Sequence, residues 1–265
     1  MERGRRRWLQ LTWEAWIRDA ASGGGLLAGG LAYRVFLWQL PATLCLVSLL
    51  GAVAELAHRP PEEVARSSGM TGAIAASVAR VIAETDDARW WLIVVGLVLA
   101  LWAGRGGARA VRVISQIAWA EPLGRKGSEL IGSLAFSGFL LAAIAMRVVE
   151  GRYVHGSFVT DVVVFVIFTV VFASLSAWVM SLLPHGERHW TAVVPGALVF
   201  SLSLRGATVV TAYYLAGRID RVDDLYGGLG IAIVALLFQF LAARLFVSAQ
   251  FLNASLAGVG PRTAR

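Results

Sequence analysis

Five stretches of this sequence each run for twenty or more residues with at most two charged side chains, and a sixth runs for 14 with none. A helix that crosses a hydrocarbon core about 30 Å thick needs about 20 apolar residues, because each adds about 1.5 Å. The blocks run from Leu26 to Ala57, Trp90 to Ala103, Leu130 to Val149, Phe158 to Leu183, Trp190 to Leu215 and Leu229 to Ala257. The second is short enough to read as a re-entrant or interfacial segment, but Arg105 and Arg109 beyond it can snorkel to a headgroup layer, so it counts as a span. Hydrophobic residues make up 57% of the 265, and charged ones only 15%. Soluble domains carry about a quarter charged residues, and no globular core of this size hides such an apolar excess. The expected fold class is all-α: a polytopic membrane helix bundle of about six transmembrane helices with amphipathic interfacial helices.

The segments between blocks set the orientation. With six spans, one side holds the N-terminus and residues 104–128, 184–189 and 258–265, with 13 Lys and Arg; the other side has 8. The positive-inside rule then puts both termini in the cytoplasm. The chain divides into a cytoplasmic amphipathic segment (1–25), a six-span bundle (26–257) and a cytoplasmic tail (258–265), all one integral-membrane domain. The basic start (Arg3, Arg5, Arg6, Arg7) precedes an apolar segment too long for a signal-peptide core and reads as a signal anchor. The net charge of +7 is dispersed between apolar blocks, which suits orientation and anionic membrane lipids as partners rather than nucleic acid. A single cysteine, Cys45, excludes an internal disulfide.

Three segments outside the blocks have helical periodicity. Residues 8–20 put Trp8, Leu9, Trp13, Trp16 and Ile17 on one apolar face, suited to the inner membrane interface. Residues 72–85 align Ile74, Val78, Val81 and Ile82 opposite Arg80 and Glu84, suited to the outer interface. Residues 105–119 place Arg105, Arg109 and Arg112 along one stripe, a basic helix that sets topology and contacts anionic headgroups. Gly23, Gly24 and Gly25 mark a break before the first span, and Pro41 and Pro195 are expected to kink theirs. Glycines and serines such as Gly132, Ser133, Ser137 and Gly138 allow close helix approach, and a homo-oligomer is compatible with these seams.

Several dispersed motifs occur in a characteristic order. They are Gly30 to Leu37 followed by Leu40-Pro41, the stretch Ala103 to Ala110, Leu183-Pro184 followed by Val194-Pro195-Gly196-Ala197, Leu225 to Leu229, and Gln250 to Leu256. In this order they resemble the YihY/BrkB family of bacterial inner-membrane proteins, historically labelled ribonuclease BN-like. The resemblance covers about residues 20–258. It implies six helices and a cytoplasmic-membrane location but no agreed biochemical activity; transport or lipid translocation has been suggested for some members. The chain departs from the family pattern at Ala249-Gln250-Phe251, where relatives carry Gly-Ala-Glu, and at Arg34, where many carry an uncharged aromatic.

Three arginines lie within spans: Arg34, Arg205 and Arg244. A charge at the bilayer centre costs about 2.5–3.5 kcal/mol on insertion scales. Arg34 is near a span end and can snorkel. Arg205 and Arg244 lie deeper, in consecutive antiparallel spans, and the nearest acids (Glu129, Glu150, Asp161) stand at block edges. The two are therefore candidates for binding an anionic group, with Ser201, Thr208 and Thr211 as nearby acceptors; the competing reading has them cap carbonyls or stabilise packing. His185 and His189 make no metal site without a third ligand, and His58 and His155 are isolated. Asp220, Asp223 and Asp224 lack the spacing of a calcium loop. No cofactor, metal site or catalytic constellation emerges, and a ribonuclease reading lacks the groups to activate water. Two function classes stand: a transporter or lipid translocator for an anionic amphiphile, and a membrane scaffold that binds lipids or partners.

Overall fold

An apolar block this long can satisfy its backbone in lipid only as helix, and the computed structural model is built from such helices. It describes residues 2–56, 58, 60, 63, 82, 89–123, 129–153, 158–186, 189–216 and 228–259. The expected outer helix (residues 72–85, apart from Ile82), His155, Asp220, Asp223, Asp224 and Leu225 to Gly227 lie outside them, as do the side chains of Trp8, Leu9 and Thr211.

Seven helices occur among the described residues: α1 (Glu2–Ala21), α2 (Gly24–Leu56), α3 (Arg89–Ala118), α4 (Glu129–Tyr153), α5 (Phe158–Leu182), α6 (Val194–Ala216) and α7 (Gly228–Leu256). A 3-10 turn, Trp190–Val193, leads into α6. Six are long and apolar enough to cross a membrane, and no more than 33% of any span is buried inside the protein. Their remaining faces present side chains such as Val166, Ile167, Val170, Leu202 and Leu237 outward. Apolar surface this extensive demands lipid, so the chain is a multi-pass membrane protein.

Two expectations are corrected. Block 90–103 and the basic segment 105–119 are one 30-residue helix, α3, about 45 Å long. The glycines at 104, 106 and 107 do not interrupt it; in apolar surroundings the intrahelical hydrogen bonds outweigh their weak helix propensity. Pro195 does not kink a span either. It stands in the first turn of α6, where a missing N–H leaves no helix bond unmade. Pro41 does lie inside α2 and removes the helix bond to the Leu37 carbonyl. The break at Gly23 occurs as expected, with φ +70 between α1 and α2.

Contacts group the chain into two compact units. The first holds Met1–Phe36, Gly107–Glu129 and Thr169–Arg265; the second holds Leu37–Gly106 and Leu130–Phe168. Inside the second unit, small residues bring backbones together. A Cβ on Gly104 would stand 2.7 and 2.8 Å from the Ser137 and Ser133 hydroxyls. Ser133 donates to the Leu101 carbonyl at 2.6 Å, and the buried Trp38 indole donates to Ser137 at 3.0 Å. A Cβ on Gly96 would stand 3.0 Å from Cys45 and 3.1 Å from the Pro41 carbonyl oxygen. Arg89, at the start of α3, pairs with Glu55 near the end of α2 at 2.6 Å. The first unit carries the candidate site.

Candidate functional site

α1 turns Trp13 and Trp16 outward and Ala15 and Asp19 inward. Trp13 and Trp16 stack at 5.3 Å, and both are exposed, as is Ile17. The opposite face carries Ala15, Arg18 and Asp19 against α7. Arg18 donates through Nη1 to Ser255 Oγ (3.1 Å) and the Val259 carbonyl (2.7 Å), and through Nη2 to the Ala118 carbonyl (2.9 Å). Ala118 is the last residue of α3, and Val259 lies just past α7. Helix C-terminal carbonyls have no intrahelical donor and carry partial negative charge, so one guanidinium serves two helix ends at once. Burial lowers the Arg18 pKa from the usual arginine value, and the nearby Glu14 carboxylate raises it again.

The neighbouring Asp19 supplies what the spans themselves lack. Arg244 Nη1 donates to Asp19 Oδ2 at 2.5 Å. Ser248, one turn along α7, donates to the same oxygen at 3.1 Å and accepts from Arg244 at 3.1 Å. The Asp19 side chain is 2% exposed and that of Arg244 28%. The other carboxylate oxygen, Oδ1, is buried without a hydrogen-bond partner among the described residues. It occupies the place of an absent side chain: a Cβ on Gly24, the first residue of α2, would lie 1.6 Å from it. The expectation that Arg244 has no acidic partner is thus overturned. Its counter-ion comes from the N-terminal helix, not from another span. Because Gly24 meets Asp19, Arg244 also stands level with the start of α2.

A second polar cluster joins α6 to α7. Asn253 Oδ1 accepts from the Gly196 N–H at 2.6 Å, and its Nδ2 donates to the Val193 carbonyl at 3.0 Å and approaches Met180 Sδ at 3.9 Å. First-turn N–H groups lack intrahelical partners, so Asn253 caps α6 from a different helix. Nearby, Trp119 donates to Gln250 Oε1 at 3.2 Å, Ser115 donates to the Pro184 carbonyl at 2.7 Å, and His185 packs edge-on against Trp119. The motifs at 183–184, 194–197 and 250–256 therefore meet in space. Gln250 and Phe251, where the family pattern differs, are fully buried in this cluster.

The other predicted residues fall in distinct places. Arg205 is buried in α6. Gly196 against Ala249 and Asn253, with Phe200 against Phe246 (5.8 Å), brings Arg205 within about one turn of the level of Arg244. Arg34 is exposed on α2, ten residues or about 15 Å beyond Gly24. Arg105 and Arg109 are exposed and Arg112 half-buried along α3. Ser201 and Thr208 donate to the Ala197 and Leu204 carbonyls of their own helix. His189 caps the 3-10 turn, accepting from the Thr191 N–H. Among the described residues, no three His, Cys, Asp or Glu side chains are grouped to hold a metal. Sequence reasoning missed Arg18, Asp19, Gly24 and Ser248. The available signal was an acid in α1 four residues before the glycine run.

A family model described as Virulence factor BrkB matches residues 19–263. No curated protein and no solved structure matches the chain.

Proposed function

The chain belongs to the Virulence factor BrkB family, and from that premise we propose that it is a transporter or lipid translocator for an anionic amphiphile. The phosphate or carboxylate of that amphiphile engages Arg244 and Arg205, with Arg34 further along the path. One observation carries the reading: Arg244 already holds a carboxylate, yet its side chain remains 28% exposed. A guanidinium that binds one oxyanion and stays reachable can bind another, since its planar donors fit carboxylate and phosphate alike. The exposed Arg105 and Arg109 with Arg112 suit a contact with anionic headgroups, each charge contributing about 1 kcal/mol near the surface.

The membrane is the cytoplasmic membrane of a bacterium, with both termini on the cytoplasmic side; the Lys and Arg balance of 13 against 8 supports this. A thiol introduced as Arg265→Cys in a Cys45→Ser background should react with an impermeant maleimide only after the cells are permeabilised. Labelling of intact cells would reverse the orientation.

A scaffold is the second reading, and the Arg18 and Asn253 clamps favour it, because both fix helix ends rigidly. Reconstituted liposomes separate the two. Asp19→Asn/Arg244→Gln removes both charges together, so no unpaired charge is left buried. This double variant should fold and move fluorescent phosphatidylglycerol at least about ten-fold more slowly, the scale of one charge-assisted hydrogen bond. Unchanged movement, or no movement by the native protein, would leave the scaffold.

A further inference from the structure

We propose that Arg244, Ser248 and the first turn of α2 form an anion-binding site whose resident occupant is Asp19, and that an external phosphate or carboxylate enters by displacing the Asp19 carboxylate. The inference rests on the reading of Arg244 given above and adds the composition of the site and the step that opens it.

The surroundings of Asp19 are those of a bound anion. One charged donor and one hydroxyl converge on Oδ2. Oδ1 lies against Gly24, where the lack of a side chain allows an oxygen to approach the backbone. Gly24 opens α2, and a helix N-terminus favours negative charge through its free N–H groups and its dipole. Asp19 fits this site imperfectly. Its Oδ1 is buried with no hydrogen bond among the described residues, an arrangement that works against the bound state. Phosphate carries more oxygens and can fill the same donors from other angles.

Geometry also allows the exchange. The carboxylate is 2% exposed and the guanidinium 28%, so an incoming anion meets Arg244 before Asp19 has left. Arg18 holds α1 through three bonds of its own, none to this site. Release of Asp19 therefore does not detach the helix.

An internal occupant lowers the apparent affinity for any competitor by the fraction of time it stays in place. Removing it has the opposite sign from the loss of a structural ion pair. The test uses the full chain in phosphatidylcholine vesicles containing brominated phosphatidylglycerol, read by quenching of tryptophan fluorescence, with inorganic phosphate titrated in a second arm against vesicles of phosphatidylcholine alone. Asp19→Asn should raise apparent affinity about ten-fold. Asp19→Ala, which removes the occupant and leaves the space beside Gly24 open, should raise it in the same direction. Asp19→Asn/Arg244→Gln should fall below the native protein. Gains in the lipid arm alone assign the site to headgroups; gains in both arms assign it to phosphate from either source. If Asp19→Asn and Asp19→Ala gain nothing while the double variant still loses binding, Asp19 is a structural partner and this proposal fails, whereas the reading of Arg244 survives.

Discussion

Gly196→Ala should destabilise the protein by about 3 kcal/mol or more. The new Cβ would lie 2.5 Å from the Ala249 carbonyl oxygen and 2.5 Å from both Asn253 Nδ2 and Oδ1. A backbone carbonyl within α7 cannot move aside without breaking its own helix, so α6 must retreat. Retreat stretches the 2.6 Å bond from the Gly196 N–H and the 3.0 Å bond to the Val193 carbonyl. Overpacking costs about 1–3 kcal/mol, and each buried group left without a partner about 1–3 kcal/mol. Asn253→Ala loses the same two bonds without the clash and should cost about 2–4 kcal/mol. The two effects must not add: the double variant should recover about 1–3 kcal/mol relative to their sum, because truncating Asn253 relieves part of the clash. Unfolding in detergent, followed by circular dichroism, measures all three. Additive losses would mean that the two motifs do not act on each other.

That pair shows what a sequence reading reaches and where it stops. The apolar blocks were legible because lipid permits few alternatives: a charge-poor run of twenty residues spans or it has no stable environment. The break at Gly23 was legible for a local reason, the positive φ that glycine tolerates. Pro195, Gly196 and Asn253 stood out singly as motif residues, but nothing in their spacing says that a side chain 57 positions downstream caps the helix that Pro195 begins. Arg244 and Asp19 are 225 positions apart. A search for counter-ions within spans passes over Asp19, which belongs to the N-terminal helix and comes level with Arg244 only because α7 runs alongside α1. Nothing in the spacing of block two says that Gly104, just past its end, is where α3 packs closest on Ser133 and Ser137.

Breaking the Asp19–Arg244 pair should cost very different amounts depending on which partner is removed. Arg244→Gln leaves a carboxylate that is 2% exposed, with Ser248 as its remaining donor. An uncompensated buried charge of this kind costs about 3–5 kcal/mol. Asp19→Asn leaves a guanidinium that is 28% exposed, still bonded to Ser248 and able to reach water or a lipid phosphate. Its loss should be nearer about 1 kcal/mol, as for pairs that solvent screens. Removing both charges should restore most of what Arg244→Gln alone loses, with a coupling of about 2–3 kcal/mol in the double-mutant cycle. The asymmetry has a functional consequence. A symmetric, fully enclosed pair would hold Arg244 as a structural cation that no external anion could claim. A pair buried at the acid and open at the base leaves Arg244 within reach of an external anion, and exchange then requires the Asp19 carboxylate to reach water as it leaves. Detergent unfolding of the four members of the cycle decides between them: equal losses for the two single variants would mark a closed structural pair and remove the basis for exchange.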